Sequence, residues 1–145
     1  MRTWTCAAAL GIGLLPMVAA AQAPVTDERL ANPEPENWLL TRGNYQGWSY
    51  SPLDQITTAN VKDLVPVWTM STGVQSAHES PPIVNDGMMY VSTPYGQVIA
   101  LDAADGEVIW RYQRELPEDF FAHHRTNRGV ALHGDKVYLA AIDAK

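Results

Sequence analysis

The sequence has 145 residues, of which 46% are hydrophobic and 18% are charged, a composition typical of a globular protein and not of a disordered chain. Its 10 basic and 16 acidic side chains give a formal net charge of -6, which argues against nucleic-acid binding because that function needs a basic face. The single cysteine excludes a disulfide framework and any multi-cysteine zinc site.

Residues 1–21 have the three-part layout of a secretory signal peptide. Arg2 supplies the positive start, residues 7–15 supply a short apolar core, and residues 19–21 are alanines, small residues of the kind a signal peptidase reads. We therefore expect cleavage after Ala21 and a periplasmic protein. The alternative, a buried N-terminal helix, would be interrupted by glycine, end near Pro16 and have no polar face. No apolar run reaches the roughly 20 residues of a mature transmembrane helix.

The rest of the chain is dominated by short strand patterns. Residues 22–37 contain Pro33 and Pro35 among polar residues, which predicts an extended lead-in. One short helix is predicted over 58–64. Runs of β-branched, aromatic and other apolar residues predict strands at 65–70, 82–84, 88–92, 97–101 and 107–112. Asp-Gly at 86–87 is a strong hairpin signal, and the last four strands are expected to form one antiparallel meander.

This meander repeats along the chain. Residues 83–91 align with residues 131–139, which begin 48 residues later, and Trp68 and Trp110 are 42 residues apart. Periods of about 40 to 50 residues with four strands are typical of β-propeller blades, whereas the alternative all-β fold, a sandwich, has no reason to repeat at a fixed spacing. We predict β-propeller blades, with residues 38–145 as the N-terminal part of the propeller. Because repeat units need neighbours to be stable, the sequence is expected to be the front of a longer protein.

The segment at 100–110, ALDAADGEVIW, resembles the blade-docking repeat of the pyrroloquinoline quinone (PQQ)-dependent dehydrogenases. Asp102 can cap the turn, Gly106 can adopt positive φ, and Trp110 can fill the gap between sheets. The segment at 48–56 and Asn127-Arg128-Gly129 are similar to the methanol/ethanol dehydrogenase branch. The resemblance covers residues 38–145 and implies an eight-bladed propeller, with the segment that begins at 48 lending the outermost strand of the last blade.

The repeat also brings two charged residues to matched positions. The offset of 48 places Glu79 opposite Asn127 and Ser80 opposite Arg128, in each case just before the innermost strand of a blade. Innermost strands converge beside the central channel of a propeller, so a carboxylate and a guanidinium are expected at one axial pocket. Taken singly each is an ordinary surface charge; taken together, and flanked by His123-His124, they favour a site.

The resemblance implies what this site binds. Glu79 and Arg128 would contact the edge of PQQ, for which an arginine offers planar donors to a carboxylate or quinone oxygen. One of His123 and His124 would stack on the ring, where alcohol-oxidising members usually carry two adjacent cysteines; a pair of exposed loop histidines is the alternative. The family's calcium or lanthanide ligands and its catalytic aspartate come from later blades. No metal ligand and no catalytic residue are therefore predicted in this chain.

By resemblance, the chain is the N-terminal portion of a periplasmic PQQ-dependent dehydrogenase. The whole enzyme would oxidise a small-molecule alcohol and pass electrons to a cytochrome c or similar acceptor, and we expect residues 1–145 alone to be inactive. A non-enzymatic β-propeller scaffold or assembly protein built from the same repeats is the alternative. Such a scaffold would keep the docking tryptophans but would have no reason to group charges and histidines around the channel.

Overall fold

The computed structural model describes residues 22–144, and the predicted signal peptide at 1–21 lies outside this part. The elements are helix α1 (Asp27–Ala31) and strands β1 (Ile83–Asn85), β2 (Met88–Thr93), β3 (Gln97–Asp102), β4 (Val108–Gln113), β5 (Val130–His133) and β6 (Lys136–Leu139). Two short 3₁₀ turns lie at Val61–Asp63 and Pro94–Gly96. Between residues 22 and 144, no helix has the length and apolar character needed to cross a membrane.

The first sheet is an antiparallel meander in the order β1-β2-β3-β4. The β1–β2 turn has positive φ at both Asp86 (46°) and Gly87 (78°), as a tight two-residue hairpin requires. In the β3–β4 turn, Gly106 has φ 78° and Asp102 Oδ1 accepts a hydrogen bond of 2.7 Å from the Ala104 amide. The predicted meander and the chemistry of both turns are confirmed.

The second sheet is the antiparallel hairpin β5–β6, and β2 of the first sheet lies against β5. The turns that follow β2 and β6 repeat the same backbone feature. Gly96 has φ 75° and Ala144, at the matched position 48 residues later, has φ 59°. The repeat read from the sequence is thus present in the backbone as well.

The lead-in differs from the prediction, because residues 22–37 are not extended throughout but contain α1. Thr26 caps this helix by accepting a hydrogen bond from the Arg29 amide at 3.3 Å. On either side of α1, single antiparallel bridges join Val25 to Gly134 and Trp38 to Val84. The segment from Val25 to Trp38 therefore connects the β1–β2 and β5–β6 hairpins.

Arg29 fixes the lead-in to the first sheet. Its guanidinium donates to both carboxylate oxygens of Glu34 at 2.7 and 3.0 Å, to Asn85 Oδ1 at 2.9 Å and to Asp86 Oδ1 at 3.2 Å. The Arg29 side chain is 14% exposed. The hydrogen bond from Arg29 is the main reason that the pKa of Glu34 is lowered to about 2.

Residues 58–70 also depart from the prediction. The helix expected over 58–64 is only the 3₁₀ turn Val61–Asp63, and residues 65–70 form no strand with any part of residues 22–144. A strand exists only where its backbone groups find a partner, and Val67 is 84% exposed. Trp68 is nevertheless docked: Nε1 donates to the Ala103 carbonyl at 3.1 Å, and its ring lies against Gly106.

The hydrophobic core lies between the two sheets and beneath the lead-in. Its members come from the lead-in with its α1, from Leu39 just after it, and from strands β1, β2, β3 and β5, namely Val25, Leu30, Leu39, Ile83, Tyr90, Val98, Ala100, Val130 and Leu132. Strand β4 is instead exposed along its whole length. The packed part of the molecule is therefore formed by the lead-in and strands β1, β2, β3 and β5, and the candidate site lies at the starts of β1 and β5.

Candidate functional site

Glu79 and Arg128 are in contact. Glu79 precedes β1 and Arg128 precedes β5, and Arg128 Nε donates to Glu79 Oε2 at 3.2 Å. The Arg128 side chain is 85% exposed and that of Glu79 is 44% exposed. The residue matched to Glu79 is Asn127, and Glu79 contacts the residue that follows it. The contact leaves the terminal nitrogens of the guanidinium open to solvent, where a ligand could be bound.

Ser92 of β2 connects the two loops that carry these charges. Its amide donates to Ser80 Oγ at 3.3 Å, and its own Oγ donates to Asn127 Oδ1 at 2.5 Å. Ser80 follows Glu79, and Asn127 precedes Arg128. One buried residue of the first sheet is therefore hydrogen-bonded to the neighbours of both Glu79 and Arg128.

Asn127 completes this junction on the side of the second sheet. It is 7% exposed, its Oδ1 also accepts from the Gly129 amide at 2.9 Å, and its Nδ2 donates to the Ala140 carbonyl at 2.9 Å. An open depression of about 450 Å³ adjoins Arg128 and is lined by residues 126–131, Tyr138 and Ala140. The backbone next to Arg128 is thus held by the hydrogen bonds of Asn127, while the Arg128 side chain faces open space.

His123 and His124 lie on the exposed loop between β4 and β5. The ring of His123 meets Phe121 edge to face, with centroids 5.4 Å apart and an interplanar angle of 70°. No hydrogen bond among residues 22–144 joins either histidine to the Glu79–Arg128 pair. The two histidines precede Arg128 in the same loop, and their role in cofactor stacking stays a prediction.

Arg125, to which the sequence alone gives no role, anchors the histidine loop to the first sheet. Its carbonyl accepts from the Tyr95 amide at 3.0 Å, and its Nη1 donates to the Tyr95 hydroxyl at 3.2 Å. The guanidinium carbon also lies 5.1 Å from the centroid of the tyrosine ring. No sequence pattern signals this contact between residues 30 positions apart.

His78 orders the loop that leads into Glu79. Its Nδ1 lies 2.8 Å from the Ser76 carbonyl, and its Nε2 lies 3.0 Å from Thr72 Oγ1. A carbonyl can only accept, so Nδ1 carries the proton and donates. His78 is therefore a structural residue of this loop, although it is exposed.

The side chains present fit an anionic, planar ligand better than a metal ion. Arg128 offers several N–H donors that the protein does not use, and guanidinium groups bind carboxylates in a planar, two-pronged way. Imidazole rings offer flat surfaces for stacking. In the part of the chain that the structure describes, no group of three or more His, Cys, Asp or Glu side chains could hold a metal ion.

A four-stranded antiparallel meander followed by a second sheet at a fixed repeat is the construction of a β-propeller, so the chain is a partial β-propeller. Residues 38–144 match the family described as the PQQ-type glucose/ethanol/alcohol dehydrogenase β-propeller domain. The chain belongs to this family.

The individual proteins to which this chain is similar are members of the same class. The chain is 38% identical over 144 residues to the quinoprotein alcohol dehydrogenase PedH of Pseudomonas putida, covering 96% of this chain and 24% of PedH. It is similar to the solved quinohemoprotein alcohol dehydrogenase ADHIIG of Pseudomonas putida HK5, with a TM-score of 0.76 and 38% identity, covering 86% of this chain and 19% of that one. For a europium-containing methanol dehydrogenase the TM-score is 0.67 at 33% identity, with coverage of 74% and 20%. The chain spans about a quarter or less of these relatives.

Proposed function

We propose that this chain is the N-terminal part of a PQQ-dependent dehydrogenase that oxidises an alcohol. The observation that carries the proposal is the Glu79–Arg128 contact at the starts of β1 and β5, in a chain whose relatives are named quinoprotein alcohol dehydrogenases. A tricarboxylated ortho-quinone needs cationic, planar donors at its edge, and Arg128 presents such a donor to solvent.

PQQ, when bound, supplies the chemistry by accepting the two electrons released from the alcohol. Arg128 would donate to a carboxylate or quinone oxygen and would favour the negative charge that develops there. Glu79, kept beside the guanidinium, would accept a hydrogen bond from an N–H of the cofactor, since a carboxylate facing an anion without such a donor would be repelled. One of His123 and His124 would cover the ring face and exclude water. The calcium or lanthanide ion would be held by residues of later blades, as the resemblance implies.

The proposal includes a location and an acceptor. Residues 1–21 would direct export to the periplasm, where a cytochrome c or a similar carrier would take the electrons. In support, one relative, 35% identical over 144 residues, is the dehydrogenase subunit of the alcohol dehydrogenase (quinone) of Acetobacter aceti. A subunit of that name implies that other subunits work with it.

The test uses the protein expressed from its full gene and purified without cofactor. PQQ is titrated in the presence of Ca²⁺ or La³⁺, binding is followed by quenching of tryptophan fluorescence, and dye-linked oxidation of a series of primary alcohols is measured. We expect saturable binding of PQQ and alcohol-dependent dye reduction that needs both PQQ and metal. Absence of PQQ binding with either metal would overturn the proposal and favour a non-enzymatic propeller scaffold.

A further inference from the structure

We propose that the contact between Arg125 and Tyr95 is a positioning device that holds the His123-His124 loop in place for the quinone. This inference rests on the proposed function, because it gives the two histidines a ligand to face. It assigns a role to two residues that touch neither Glu79 nor Arg128 among the hydrogen bonds of residues 22–144.

Arg125 follows His124 directly and is held at three points. The Tyr95 amide donates to its carbonyl at 3.0 Å, its Nη1 donates to the tyrosine hydroxyl at 3.2 Å, and its guanidinium carbon lies 5.1 Å from the ring centroid. A backbone hydrogen bond fixes where the chain passes, while the two side-chain contacts resist rotation about that point. The preceding histidine is therefore attached to a defined place on the first sheet.

Tyr95 itself is rigidly placed. It has φ 68°, a left-handed conformation that favours glycine, and its carbonyl accepts from Gln113 Nε2 at 2.8 Å. By the offset of 48, the residue after β6 that corresponds to Tyr95 is Asp143. The turn alone thus does not require a tyrosine. The aromatic ring and hydroxyl at 95 are explained by what they hold, which is Arg125.

A second anchor lies two residues further on. Asn127 is bound through its side chain to Ser92, Gly129 and Ala140. Arg125 and Asn127 together prevent the end of the loop from shifting along the sheet, so the histidines and Arg128 stand on either side of one fixed segment. Without the Arg125 side chain, the attachment of residue 125 to Tyr95 would be reduced to the backbone hydrogen bond.

The test compares Arg125→Ala, Arg125→Lys and Tyr95→Phe in the protein expressed from its full gene, with Arg42→Ala, which removes another exposed arginine, as the matched control. Two readouts are used: the Kd for PQQ, and the rate at which diethyl pyrocarbonate modifies His123 and His124 without PQQ, followed by peptide mass spectrometry. Melting temperatures check that each variant folds. Tyr95→Phe keeps the ring and removes only the hydroxyl, so it remains informative if Arg125→Ala does not fold.

We expect Arg125→Ala to raise the Kd for PQQ about three- to tenfold, the effect of losing one hydrogen bond and one cation–π contact, and to speed modification of the histidines. Arg125→Lys should recover part of both effects because it keeps a cation over the ring, Tyr95→Phe should give about a twofold effect, and Arg42→Ala none. Wild-type protein that does not bind PQQ would overturn the proposed function and this role with it. Wild-type protein that binds PQQ, together with an Arg125→Ala variant whose Kd is unchanged, would overturn the positioning role alone, whatever the histidine reactivity.

Discussion

Ser92 and Asn127 are joined across the junction of the two sheets by a hydrogen bond of 2.5 Å from Oγ to Oδ1. Both are buried, with exposures of 1% and 7%. Ser92 is hydrogen-bonded to Ser80, which follows Glu79, and Asn127 directly precedes Arg128. The spacing of the two charges therefore depends on this uncharged contact. A substitution at this junction should therefore affect both the stability of the protein and the geometry of the candidate site.

We expect Asn127→Ala to lower the free energy of unfolding by about 1–3 kcal/mol, because it removes the buried hydrogen bond with Ser92 and the partly buried ones with Gly129 and Ala140. Urea unfolding of the wild type, Ser92→Ala, Asn127→Ala and the double variant measures the coupling between the two side chains. A double variant whose loss equals the sum of the single losses would show that the two residues do not act together.

The packing of Trp68 on Gly106 gives a second prediction. A Cβ at position 106 would lie 2.6 Å from two atoms of the Trp68 ring, and φ there is 78°. Gly106→Ala should therefore cost about 2–4 kcal/mol, from the left-handed backbone and from the steric clash. Gly87→Ala is the matched control, because it has the same φ of 78° and no heavy atom within 4 Å.

Gly87→Ala should cost only about 1–2 kcal/mol, the contribution of the backbone alone. Urea midpoints of both variants check the difference. Equal losses would mean that the indole moves aside without cost and that Trp68 does not dock tightly on the β3–β4 turn.

The Arg29–Glu34 pair predicts how stability changes in acid. The pKa of Glu34 is lowered to about 2 from an ordinary value of 4.5, so the folded state favours the ionised carboxylate. This contribution is fully present above about pH 4.5 and is lost as pH falls toward about 2. Since the Glu34 side chain is 40% exposed, solvent screening should limit it to at most about 1 kcal/mol.

Glu34→Gln should accordingly be less stable than the wild type at pH 6 and nearly equal to it at pH 2, as measured by urea midpoints. Glu36→Gln, a change of an exposed glutamate in the same segment, is the control and should show no such convergence. A constant gap between wild type and Glu34→Gln over this range would contradict the origin given for the lowered pKa.

The parts of the fold that the sequence predicted are those encoded by local chemistry. Asp86-Gly87 and Gly106 set their turns within a few residues, so the meander follows from the pattern. Helix α1 was not predicted because five residues are too few for propensity to decide, and contacts of Arg29 with the distant β1–β2 turn hold it. The strand pattern at 65–70 predicted a ladder, but a ladder needs a partner strand.

For the candidate site, too, part was predicted from the sequence and part was not. The repeat placed Glu79 opposite Asn127, the neighbour of Arg128, and so predicted that the loops carrying the two charges are adjacent. The hydrogen bond between Glu79 and Arg128 is visible only in the structure. Ser92, Tyr95 and Arg125 were missed because their contacts join residues 30 or 35 positions apart. Such contacts depend on which way each side chain points, and only the assembled sheets determine that.

The last prediction concerns the exposed Glu79–Arg128 pair: replacing Arg128 should change PQQ binding strongly and stability little. The pair is 44% and 85% exposed, so Arg128→Ala should change the melting temperature by less than about 2 °C while raising the Kd for PQQ about a hundredfold or more, the loss of charge-assisted hydrogen bonds to an anion. Arg128→Lys should recover the charge but not the planar geometry, and so only part of the affinity. Glu79→Gln keeps an acceptor oxygen and should weaken binding less than Glu79→Ala.

His123→Ala and His124→Ala complete the set, and the variant that loses more affinity for PQQ identifies the histidine that stacks on the ring. Arg111→Ala, a change of an exposed arginine on β4, is the control for loss of positive charge. Binding that falls equally for Arg111→Ala and Arg128→Ala would point to general attraction of an anion. If Arg128→Ala binds PQQ as the wild type does, the contact between Glu79 and Arg128 is an ordinary surface ion pair and the cofactor lies elsewhere.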